Sequence, residues 1–162
     1  MKILITGGAG FIGSNLVRYL IERTNYEVIN IDNLTYAGNL NSLNSVEQNK
    51  RYTFKQIDIM NKELLSEVFH SEQPDSLLHL AAESHVDRSI QNPENFIKTN
   101  IYGTYNLLEV TREYLKSFPG KCKDFKFIHI STDEVYGDLE EDGKPFTEES
   151  PYFPSSPYSA SK

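Results

Sequence analysis

The chain has 162 residues, enough for one domain with a substantial core and too few for two ordinary ones. Apolar residues make up 38 % and charged residues 24 %, which is globular composition and excludes a disordered chain. The net charge of −7 argues against nucleic acid as a partner but leaves room for a nucleotide, because backbone N–H groups hold phosphate without side-chain charge. Cys122 is the only cysteine, so an internal disulfide is impossible and a reduced thiol is expected. No apolar run approaches the ~18 residues of a membrane helix, so no membrane partner and a cytoplasmic location are expected.

In chain order, strand-like and helix-like patterns alternate. Ile3 to Thr6 is a short apolar run that ends at glycines. From Phe11 to Arg23 the apolar positions Phe11, Ile12, Leu16, Val17, Leu20 and Ile21 form a helical stripe. Val28 to Ile31 and Tyr52 to Ile57 are the next strands. Asn61 to Glu72 is a helix, with Leu64, Leu65, Val68 and Phe69 on one face. Ser76 to Leu80 is a fourth strand. Pro93 to Lys116 is one long helix, with Asn92 as its N-cap and Pro93 at the first helical position. Phe125 to Ile130 is a fifth strand, placed centrally. This alternation predicts an α/β fold, a doubly wound, Rossmann-like parallel sheet covered on both faces, with ligands at the carboxyl ends of its strands. His79 and His129 lie in strands and are expected as satisfied core residues; the four histidines have no metal-ligand spacing, so no metal is expected.

The tail differs. Four of the seven prolines fall in the last eighteen residues, after an acidic stretch, Asp138 to Asp142, that reads as a surface loop. A helix can begin after Ser156, but a helix of under two turns is marginal without packing.

Two local motifs carry chemistry. Thr6-Gly7-Gly8-Ala9-Gly10-Phe11-Ile12-Gly13 joins the first strand to the first helix. Gly7 and Gly10 permit a tight turn and close backbone approach to a pyrophosphate, Gly13 lets the helix sit close on the strand, and the helix N-terminus supplies unpaired N–H groups. Asp32 follows Gly13 by nineteen residues, at the end of the second strand. Its carboxylate can accept from ribose hydroxyls and would repel the extra phosphate of NADP, so NAD is the expected cofactor. Further on, the fifth strand runs into Ser131-Thr132-Asp133-Glu134-Val135-Tyr136-Gly137, where two adjacent carboxylates can divide acid and base work. Tyr158 and Lys162, four apart, would share one helix face, and the ammonium would favour the phenolate.

Together these motifs resemble the extended short-chain dehydrogenases/reductases. Asp32 to Asn39, Ala81 to Ser89 and Pro154 to Lys162 further resemble the 4,6-dehydratases of nucleotide-activated glucose, with dTDP-glucose as the expected substrate. The resemblance covers the whole chain, and Thr132-Asp133-Glu134 is its most specific element. It implies NAD-dependent oxidation at sugar carbon 4 with Tyr158 as base and Thr132 holding the hydroxyl. Elimination of water across carbons 5 and 6 follows, with Glu134 as base and Asp133 as acid, and then hydride return to carbon 6. An epimerase or a non-catalytic NAD-binding module are the alternatives. The likeness also places Phe11 and Ile12 along the pyrophosphate and Asp32, Asn33, Leu34 and Thr35 around the adenosine. Asp58 and Ile59 would border the adenine. Leu80, Ala81, Ala82, Ser84 and Thr99, with Tyr158 and Lys162, would line the nicotinamide half, and Ser84 would also touch the sugar. Residues 1–162 would be the NAD-binding domain, incomplete at its carboxyl end and without a substrate domain. The full protein would be a homodimer built on long helices including Pro93 to Lys116.

Overall fold

The computed structural model describes residues 1–139 and 143–162. Residues 140–142 of the acidic stretch thus lie outside the described residues. The chain divides into two compact units, Met1–Ala81 with Gly103–Ile130, and Ala82–Tyr102 with Ser131–Lys162.

The first unit contains a parallel sheet of β1 (Lys2–Thr6), β2 (Glu27–Asp32), β3 (Tyr52–Gln56), β4 (Ser76–His79) and β5 (Lys126–His129), in the order β3-β2-β1-β4-β5. In register, Ile3 lies opposite Val28 on one side and Ser76 on the other. The strand period of two sends alternate residues of β1 to opposite faces. Ile3 and Ile5 join Val17, Leu20 and Ile21 of α1 (Phe11–Arg23) in one core cluster. Leu4 joins Leu65, Val68 and Phe69 of α2 (Lys62–Glu72) and Leu107, Val110 and Tyr114 of α5 (Thr104–Ser117) in the other. Each such side chain contributes about 1.5–3 kcal/mol on burial. The parallel Rossmann-like sheet expected from the alternating pattern is present.

Several details differ from the pattern-based expectation. β5 stands at an end of the sheet order rather than in the centre. Phe11 and Ile12 are 94 % and 65 % exposed, so the buried stripe of α1 starts at Gly13 and Ser14. Leu64 is exposed too, and α2 buries only Leu65, Val68 and Phe69.

The second unit contains α3 (Val86–Gln91), α4 (Pro93–Phe96), most of a π-helical stretch (Ile97–Gly103), a 3₁₀ turn (Asp133–Tyr136) and α6 (Pro157–Ala160). The stretch read as one helix from Pro93 is therefore α4, a π-helical segment and α5 in succession. Asn92 does stand at the N-cap of α4, but its side chain makes no cap bond; its backbone N–H instead closes α3 on Arg88.

Candidate active site

The first unit holds the glycine turn. Gly7 has φ +74, in the left-handed region open to glycine, and a Cβ there would stand 2.6 Å from the Ala81 nitrogen. Gly13 is equally closed, since a Cβ would run into the Gly7 carbonyl. Gly10 differs: its Cβ would meet only the Gly7 oxygen, at 3.3 Å, and would otherwise enter open space. Gly10 is also the N-cap of α1, and no side chain caps that end. An open glycine before an uncapped helix N-terminus, with Phe11 and Ile12 beside it in solvent, suits an anion such as a pyrophosphate. The turn thus fits a dinucleotide.

Asp32 is more deeply involved in the turn than its motif role requires. One carboxylate oxygen accepts from the Ala9 N–H at 2.9 Å and the other from the Leu34 N–H at 2.8 Å. The second bond holds Leu34 at φ +55, a conformation non-glycine residues seldom adopt. The Asp58 carboxylate accepts from the Asn33 amide at 2.8 Å and from the Met60 N–H at 2.8 Å, which ties the second and third strand ends together. Thr35 is exposed. The Ile59 side chain, 4 % exposed, lies in the core, so a contact with adenine would fall to its backbone. Leu80 and Ala81 follow β4, and Ala81 backs Gly7.

Sequence reasoning missed Asn30. It is fully buried in β2 and fills the space where a Gly8 side chain would stand, while its amide donates to the Tyr52 hydroxyl at 3.0 Å. Its Oδ1 has no hydrogen-bond partner among the described residues. Burial pushes the Tyr52 phenol above its ordinary range. A polar residue inside the run Val28 to Ile31, two positions before Asp32, was the available signal.

The second unit holds the catalytic candidates. Thr132 is the N-cap of the Asp133–Tyr136 turn; its hydroxyl accepts from the Glu134 N–H and donates to Asp133 Oδ1, both at 3.3 Å. Asp133 is exposed and Glu134 half-buried, so adjacent carboxylates have different surroundings. Gly137 closes the turn at φ +105, where a Cβ would lie 2.6 Å from the Phe153 carbonyl. The Phe153 N–H donates to the Val135 carbonyl at 3.0 Å.

Tyr158 sits in α6, which a capping box between Ser156 and Ser159 closes at its start. The helix ends at Ala160, so Tyr158 and Lys162 are not both helical as the spacing predicts. Burial pushes the Lys162 ammonium below its ordinary range. Asn100, a second residue missed from sequence, anchors this region. It is 2 % exposed, accepts from the Glu83 N–H at 2.8 Å, and donates to the Glu83 carbonyl at 2.9 Å and the Ser161 hydroxyl at 2.7 Å. Ser161 in turn donates to the Tyr158 carbonyl at 2.7 Å. Ala82 and Thr99 are half-buried and Ser84 is exposed. Among the described residues, no group of three His, Cys, Asp or Glu is placed to hold a metal, and no helix is long and apolar enough to cross a membrane.

A parallel sheet with a glycine turn after β1 and an acid at the end of β2 defines a dinucleotide-binding type of fold. Comparison with known proteins narrows it. The chain belongs to the family described as GDP-mannose 4,6 dehydratase, whose profile matches residues 4–162. It is 58 % identical over 162 residues to a dTDP-glucose 4,6-dehydratase of Neisseria meningitidis, covering 99 % of the chain and 46 % of that protein. A solved dTDP-glucose 4,6-dehydratase of Streptomyces venezuelae, with NAD and TYD bound, superposes with a TM-score of 0.88 at 42 % identity, over 100 % of this chain and 48 % of that one. A Thermus thermophilus UDP-glucose 4-epimerase in complex with NAD superposes with a TM-score of 0.84 at 33 % identity, over 100 % and 47 %. The chain spans about half the length of the curated relatives it matches.

Proposed function

We propose that the chain is the NAD-binding part of an enzyme that dehydrates dTDP-glucose to its 4-keto-6-deoxy sugar. The observation that carries this reading is the Asp133–Glu134 pair on one turn capped by Thr132. Water elimination needs both an acid and a base, whereas oxidation of an alcohol, all that an epimerase needs at this position, requires neither carboxylate. The dehydratase relatives support the same choice.

When bound, NAD supplies a reversible two-electron oxidant for sugar carbon 4, and the whole cycle is redox-neutral. Gly7, Gly10 and Gly13 with Phe11 and Ile12 would hold its pyrophosphate. Asp32 to Thr35, with Asp58 and the Ile59 backbone, would hold its adenosine. Leu80, Ala81, Ala82, Ser84 and Thr99 would line its nicotinamide half. Tyr158 takes the proton of the carbon 4 hydroxyl, Lys162 favours the phenolate and would hold the nicotinamide ribose, and Thr132 orients the hydroxyl. Glu134 removes the carbon 5 proton once the neighbouring ketone has acidified it. Asp133 delivers a proton to the hydroxyl leaving carbon 6. Ser84 touches the sugar. The full protein would be a homodimer with α5 among its interface helices.

Two measurements test the reading. Titration of NAD⁺ into the chain should show binding, and Gly10→Ala should abolish it while the chain stays folded, because the added methyl meets only the Gly7 oxygen, at 3.3 Å, which has to give by a few tenths of an ångström. Equal affinity in the variant would sink the glycine-turn assignment. In the longer protein, dTDP-glucose should lose one water, read by mass spectrometry. An isomer of unchanged mass would establish the epimerase reading instead.

A further inference from the structure

His79, at the end of β4, is a buried titratable group that the proposed reaction does not use; it is 1 % exposed. Its Nδ1 lies 2.7 Å from the Thr6 hydroxyl and its Nε2 lies 2.9 Å from the Thr104 hydroxyl. The Thr6 hydroxyl also accepts from the Ala81 backbone N–H at 3.3 Å.

Counting donors fixes the protons. The Ala81 amide can only donate, so Thr6 Oγ1 is an acceptor there. Thr6 is fully buried, and the acceptor within reach of its own hydroxyl proton is His79 Nδ1. Nδ1 must therefore be bare. In a neutral ring the proton then sits on Nε2 and is donated to Thr104. The His129 ring, 4.9 Å away, and the Phe127 ring, 6.4 Å away, pack against the imidazole and hold its plane.

The structure assigns His79 as a positioning residue for the phosphate-binding turn, fixed as the neutral Nε2–H tautomer between Thr6 and Thr104. Thr6 is the last residue before Gly7, and Ala81 is the backbone against which Gly7 closes. The chain from Thr104 through His79 and Thr6 to Ala81 thus sets the spacing between the start of the glycine turn and the segment after β4. Both ends of that spacing are places where the dinucleotide would lie. The role rests on the NAD reading above, but the tautomer does not.

The test uses the chain labelled with ¹⁵N at histidine. Long-range proton–nitrogen couplings should show His79 with its proton on Nε2. Thr6→Val, close to isosteric, should speed hydrogen exchange at the Ala81 amide and weaken NAD⁺ binding about tenfold, as expected when one buried hydrogen bond is lost. His79→Leu should weaken NAD⁺ binding at least as much. His79→Asn, whose side-chain oxygen can stand near the place of Nδ1 and accept from Thr6, should recover most of the loss. A proton on Nδ1, a doubly protonated ring, or a His79→Leu chain that binds NAD⁺ as tightly as the unaltered one would each overturn the assignment. If His79→Leu fails to fold, Thr6→Val decides: unchanged Ala81 exchange overturns the assignment. Nε2 protonation with faster Ala81 exchange supports it even if the unaltered chain takes up no NAD⁺, an outcome that counts against the dinucleotide reading alone.

Discussion

At the scale of single residues, Asp32 has a structural job beside the cofactor role proposed for it. The motif spacing marks it as a ribose acceptor, yet both of its oxygens already hold the protein's own backbone, at Ala9 and Leu34. Each is a bond to a charged acceptor, worth about 1.5–3 kcal/mol where partly buried. Asp32→Ala, which removes both, should therefore lower stability by about 3 kcal/mol, the low end for two such bonds, with no nucleotide present, read from urea unfolding. Asp32→Asn keeps one accepting oxygen and should cost roughly half as much. A loss under about 0.5 kcal/mol for Asp32→Ala would show that the two bonds contribute little, because solvent replaces them. Any change in NAD⁺ affinity at this position must be separated from that loss of stability.

At the scale of elements, α6 shows why a four-residue helix can persist. Its length is far below what an isolated helix needs. The Ser156–Ser159 capping box fixes its start, and Ser159 and Ser161 are buried. Ser156→Ala should cost about 1 kcal/mol. The loss should appear as faster hydrogen exchange at the Ala160 amide, which bonds the Ser156 carbonyl. Unchanged exchange would mean that Asn100 and Ser161 alone hold the segment. What sequence could and could not show follows the range of the interactions. α1, the five strands and the glycine turn were legible because apolar period and turn chemistry are local signals. α3 was not: its six residues bury only Ser89 and carry no apolar stripe. The π-helical stretch was not either, because a slip in backbone bonding leaves little mark on side-chain period. Among the candidate site residues, Asp32, Asp133 and Glu134 stand out in the sequence by their nearness to strand ends. Asn100 was not, because its partners Glu83 and Ser161 lie 17 and 61 residues away in sequence.

At the scale of the whole molecule, acid stability should depend on the amino-terminal end of the sheet. Burial is the largest single influence on the Glu72 and Asp75 carboxyls and raises both, but the opposing ones together outweigh it: Lys55 and Lys2 for Glu72, and Lys121 with the Lys2 N–H for Asp75. Both end below the ordinary carboxylate range. A carboxylate depressed on folding contributes stability that is present above its unfolded pKa, near 4, and is lost as pH falls through the folded value. Unfolding followed from about pH 5 downward should steepen through that window. Glu72→Gln should flatten the slope there and leave it unchanged near neutrality. An identical acid profile in the variant would show that solvent screens the Lys55–Glu72 pair.

The strand order also sets a timetable for synthesis. β1 precedes both of its sheet neighbours in sequence but becomes an interior strand. Its partner β2 follows within a few tens of residues, whereas β4 pairs Ser76 with Ile3, 73 residues apart. At ~5–20 residues per second the ribosome needs about 4–15 s to supply that second partner. Through that interval one edge of β1, with Ile3, Leu4 and Ile5, stands unpaired on the nascent chain. Such an unpaired strand edge is a surface that a chaperone can cover.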